Sequence, residues 1–100
     1  MQFVNYLIEN RPRVYDDILE AVDYFFSINP QLAADFLDRI EEAKQSILNT
    51  PKGFVVKYSE VRTILLKHFD YHIYYIIEEN KIVILAILHA HIGDEKISEI

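Results

Sequence analysis

From Ile82 to Leu88 the chain reads Ile-Val-Ile-Leu-Ala-Ile-Leu without a polar residue, and shortly before it Ile73 to Ile77 reads Ile-Tyr-Tyr-Ile-Ile. Both runs are far shorter than the roughly 20 residues a helix needs to cross a bilayer. Their β-branched and aromatic content makes them strands, spanning Tyr71 to Glu78 and Lys81 to His89. Glu79-Asn80 between them reads as a tight hairpin turn, because asparagine tolerates the positive φ such turns require. An antiparallel strand wetted on one face alternates apolar with polar residues. These strands do not alternate, so both faces of the sheet they form must be covered.

The upstream sequence supplies one cover. Phe3 to Ile8 reads as a short opening strand, and Pro12 after Asn10-Arg11 starts a helix running to Ser27 or Ile28. Its apolar stripe is Val14, Ile18, Val22 and Phe25, widened by Leu19 and Phe26, with Asp16 and Asp17 near the positive end of the helix dipole. Asn29-Pro30 caps a second helix that stops near Asn49, with Ala33, Phe36, Leu37, Ile40, Ile47 and Leu48 on its stripe. After Pro51 and Gly53 the period changes from helix to strand: Phe54 to Tyr58 and Val61 to Lys67 precede the two runs above, with Ser59-Glu60 as a second turn. At 100 residues the chain is read as one domain over 1–100. The expected fold is α+β, β-α-α-β-β-β, an antiparallel sheet packed against a helical hairpin on one face. The opposite face then needs the C-terminal tail, a second copy of the chain or a partner protein. Tyr74, Ile76, Ile84, Ala86 and Leu88 are the residues assigned to that surface.

Charge and cysteine content narrow the function classes. With no cysteine, disulfides and thiolate metal clusters are excluded. The first apolar run is interrupted by Asn5 and is too short for a signal-peptide core, so the reading is a soluble cytoplasmic protein without a membrane anchor. A net charge of -6 argues against a protein that works by neutralising phosphates, and no sequence-specific nucleic-acid binding is expected. The exception is local: between Pro51 and His72, Lys52, Lys57, Arg62 and Lys67 face only Glu60 and Asp70, a net +2.

An ordered set of landmarks then resembles the ParE/RelE toxins of type II toxin-antitoxin systems. They are Ala21 to Tyr24, then Pro30, Ala33, Phe36, Leu37 and Arg39, then Pro51, Val61-Arg62, Phe69-Asp70-Tyr71-His72-Ile73-Tyr74-Tyr75, and Ile82 to His89. The aromatic-Asp-Tyr-x-Ile-Tyr-Tyr strand followed by Ile-Leu-Ala-Ile-Leu-His is similar to the plasmid-stabilisation, ParE-like branch. The resemblance implies a toxin silenced by a cognate antitoxin. ParE-like members block DNA gyrase; RelE-like members cut messenger RNA on the ribosome with Lys, Arg and a C-terminal Tyr or His. The expectation here is protein binding with gyrase as target, no cofactor, and the apolar outer face as the antitoxin interface, or as a homodimer interface when the chain is free. The alternatives are a ribosome-dependent endoribonuclease and a non-toxic binding module on the same fold.

Cutting RNA without metal needs a base, an acid and cations around the phosphorane. Only Lys57, Arg62 and His89 offer themselves: Arg62 matches the family's arginine after a valine, but His72 stands where many relatives have Arg, and His91-Ile92 follows the last-strand His where they have arginines. Lys57, Arg62, Lys67 and His72 are therefore read as a target-binding set, and Arg62 is equally readable as a half-buried ion-pairing residue. His89-Ala90-His91 places two imidazoles on one strand face, yet no third ligand is spaced to join them, so no metal site is assigned.

Overall fold

The computed structural model describes residues 5–99, with Asp94, Glu95 and Ile97 described in their backbone alone. The chain runs β1 (Leu7–Asn10), α1 (Pro12–Ile28), α2 (Pro30–Asn49), β2 (Val55–Tyr58), β3 (Val61–Leu65), β4 (Tyr71–Glu78), β5 (Lys81–His89), α3 (Ala90–Lys96) and a 3-10 turn (Ile97–Glu99). The α+β class is the one expected, but four strands follow the helical hairpin where the expected β-α-α-β-β-β order has three, because each of the four β-rich runs after Gly53 forms its own strand. Asn29 ends α1 in an extended conformation and its side chain accepts the Gln31 N–H at 2.9 Å, with Pro30 opening α2, so one residue closes one helix and caps the next.

The sheet order is β1-β5-β4-β3-β2, and β1 pairs parallel with β5, so the sheet is mixed rather than antiparallel throughout. Nothing local in the sequence announces a partner so distant along the chain. The opening strand also sits later than expected: Phe3 and Val4 lie outside the described residues, and pairing runs from Leu7 to Asn10 opposite Lys81 to Ile84. At the β4-β5 hairpin the positive φ, 55°, falls on Glu79 and not on Asn80.

One cluster lies between helices and sheet: Val14, Ala21, Phe36, Ile40 and Ile47 from the helices meet Ile73, Tyr75, Ile82, Ile84 and Ile87. A second lies on the opposite face, built from Val61, Tyr74, Val83, Leu85 and Ala86 with Ile76 and Leu88 at its margin. The two do not follow a simple alternation along β5. Tyr74 pairs with Ala86 and Tyr75 with Ile84, leaving Leu85 as the extra residue of a β-bulge. Leu85 and Ala86 both point outward and the alternation changes phase.

What covers the outer face is the chain's own C-terminus. Helix α3 packs on β4 and β5 and the 3-10 turn reaches β2. The approach is close enough to demand glycine: a Cβ at Gly93 would lie 2.0 Å from the Tyr74 hydroxyl.

Candidate functional site

At the hairpin end of the sheet, on the helix side, a cleft of about 510 Å³ opens between the α2-β2 loop and the β2-β3 and β4-β5 turns. Tyr6, Lys52, Ser59, Glu60, Arg62 and Glu79 line it, over Val56 and Ile77. Arg62 is the pivot. Its Nη1 donates to the carbonyls of Phe54 at 2.7 Å and Lys52 at 3.0 Å, fixing the loop that carries Lys52. Tyr75, opposite Arg62 in the β3-β4 ladder, donates from its hydroxyl to the Pro51 carbonyl at 2.7 Å. Burial pushes the Tyr75 phenol up to about 12, with the Arg62 charge opposing. Two core-side residues thus hold the backbone from Pro51 to Phe54, and the cleft's two cations stand against two carboxylates, Glu60 and Glu79. That balance suits recognition of a mixed protein surface better than of a phosphate chain.

The residues expected to act on RNA are not gathered. Arg62 pairs with Tyr75 and His89 with Tyr71, four positions apart on β4, or about 13 Å along the strand. His89 is oriented locally: Nε2 lies 3.5 Å from an Asp70 carboxylate oxygen and Nδ1 accepts the His91 N–H at 3.3 Å. Lys57 is the bulged residue of β2, exposed and outside the cleft lining. Of the remaining target-binding set, Lys67 is exposed on the β3-β4 loop, and His72 lies on the outer face with Nδ1 3.3 Å from the Tyr74 hydroxyl. Arg62 and His72 therefore sit on opposite sides of the sheet. Among the described residues no group of three or more His, Asp or Glu is placed to hold a metal ion.

The residues assigned to the partner-facing surface divide in the same way. Tyr74, Ile76, Ala86 and Leu88 are on the outer face, but Tyr74 and Ala86 are fully buried beneath the tail. Ile84 is a correction: the bulge after it leaves it on the helix side, fully buried in the main core, while Val83 and Leu85 take the outer positions.

Sequence reasoning missed two features of use. Asp17 accepts the Ile87 N–H at 3.0 Å and the Arg13 guanidinium at 3.2 Å, tying α1 to the half of β5 that β1 does not reach. The sequence marks Asp17 only as a carboxylate in the first part of a helix. Tyr15, Leu19 and Phe26, spaced along one face of α1, are about three-fifths exposed rather than part of the core; the buried positions on that helix are Val14 and Ala21.

The family whose model matches the chain, over residues 8–92, is described as ParE toxin of type II toxin-antitoxin system, parDE. Among solved structures, the chain is similar to one described as a chromosomal ParDE TA system from P. aeruginosa, with 18% identity and a TM-score of 0.76 over 87% of this chain and 98% of that one. No curated relative matches it in sequence.

Proposed function

The chain belongs to the ParE toxin family of type II toxin-antitoxin systems, and from that premise we propose that it acts by binding proteins: DNA gyrase as target and a cognate antitoxin that silences it. The observation that carries this reading is the use of Arg62. Its Nη1 is hydrogen-bonded to two loop carbonyls, and of the other two residues a ribonuclease mechanism would use, Lys57 is exposed on the β2 bulge and His89 lies about 13 Å away along the sheet. A phosphorane needs convergent cations and a proton donor within hydrogen-bond reach of one point. The antitoxin half of the reading draws on the paired system named for the similar structure.

The test is induction of the chain alone in a bacterial host, with plasmid supercoiling and transcript integrity read from the same cultures. Relaxed or cleaved plasmid with intact transcripts is expected. Codon-positioned transcript cuts with normal supercoiling would replace gyrase binding by RNA cleavage, and unimpaired growth would reduce the chain to a binding module.

A further inference from the structure

A second cleft, of about 360 Å³, lies where α1 passes the end of β5 and the start of α3. Its floor is apolar, from Ile87, Leu88 and Ile92, and its rim carries Glu20, Tyr24 and Tyr71 together with Asp17, already held by Arg13 and the Ile87 N–H, and His89, beside Asp70. We propose that this cleft binds the side chain of an arginine or lysine presented by a partner protein.

The lining matches both halves of such a side chain. A long cationic residue lays its aliphatic stem on apolar surface and keeps its charged head at the edge. Here the head would meet the one lining carboxylate without an ion-pair partner, Glu20, and two tyrosine rings, and aromatic rings attract cations through their quadrupole. Glu20 and Tyr24 lie within electrostatic reach of the Tyr71 hydroxyl, whose pKa is raised by burial, then by Glu20, then by Tyr24.

Charge distribution identifies the occupant. Residues 12–49, the helical hairpin, hold three basic and eight acidic residues, a net -5 within a chain of -6. Each of the three is already paired: Arg13 with Asp17, Arg39 with Glu42, Lys44 with Glu41. Among the described residues Glu20 has no ion-pair partner. An anion would be repelled at this rim, whereas a cation brought by another chain satisfies it. The cleft is open for that purpose: Tyr24 is 59% exposed and Ile92 46%. This inference stands on the chemistry of the cleft and not on toxicity, so its failure would leave the gyrase reading where it was.

The experiment titrates the full chain with N-acetyl-arginine amide and, separately, with N-acetyl-citrulline amide, which has nearly the same shape without the charge. Methyl and aromatic NMR signals of Ile87, Ile92 and Tyr71 report binding. The arginine probe is expected to shift them saturably, about tenfold more tightly than the citrulline probe, given one carboxylate and aromatic contacts. Glu20→Gln should weaken the arginine probe about threefold and Tyr24→Leu by a similar factor, both at exposed positions where folding is not at stake. Equal response to the two probes, an unchanged affinity in both variants, or shifts spread over the whole acidic hairpin would overturn the proposal. Shifts at Ile87 and Ile92 that grow with protein concentration alone would assign the cleft to a second copy and overturn it as well.

Discussion

Arg62 positions the loop that leads from α2 into β2. Its partners are backbone carbonyls of Lys52 and Phe54, in a loop that carries no pattern announcing them. Because both bonds are charge-assisted and hold a whole loop, Arg62→Ala should lower the unfolding free energy by about 1–3 kcal/mol in urea titration. Unchanged stability together with lost growth inhibition would instead make Arg62 a target contact. Tyr75 makes the matching prediction in pH. Its phenol titrates near 12 when folded against an ordinary 10, so its proton is held more firmly in the native state. The stabilisation it contributes is fully present below pH 10 and is lost as pH rises through 12. Urea midpoints between pH 9 and 12 should fall, and Tyr75→Phe should fall less steeply over the same interval while starting lower for want of the Pro51 hydrogen bond. Parallel slopes in the two proteins would contradict this.

The elements themselves were legible because their signals are local: proline and asparagine at helix starts, a change of period after Gly53, an apolar strand pair around a short turn. The relations between them were not. A parallel β1-β5 pairing and a bulge at Leu85 depend on residues far apart in sequence or on a one-residue slip in register, and a slip of that kind exchanges the faces of everything beyond it. Ile84 and Leu88 look equivalent by alternation and are not. Ile84→Ala should cost about 2–4 kcal/mol as a fully buried core truncation, and Leu88→Ala, at a partly buried margin, about 1 kcal/mol. Equal losses would remove the bulge from the account. Helix α3 makes a sharper case. A methyl at Gly93 meets the Tyr74 ring and hydroxyl, so Gly93→Ala should lift α3 and expose Val83, Leu85 and Ala86. Faster amide exchange across Ala90–Lys96 and concentration-dependent sedimentation are the expected readouts; wild-type exchange rates would show that the helix accommodates the methyl.

At the scale of the whole molecule, two apolar sheet faces required two covers, and that demand was readable from Tyr71 to Leu88 alone. Which cover the second face receives was not readable, since a short polar tail gives no sign that it folds back. The consequence is a redistribution of binding surface. With Tyr74 and Ala86 already buried, the outer sheet face is a weaker candidate for a partner than the acidic helical hairpin, whose Tyr15, Leu19 and Phe26 are open to solvent. The net charge of -6, concentrated there, repels phosphate backbones and favours basic protein surfaces. On the function proposed above, this toxin acts by occupying a protein and does not cut RNA. The most direct test is DNA gyrase supercoiling of relaxed plasmid with increasing amounts of the purified chain, run beside a ribosome-programmed transcript in the same buffer. Supercoiling should be lost while the transcript stays whole; full supercoiling at a large excess of the chain, with cuts at defined codons, would show instead a toxin that cuts RNA.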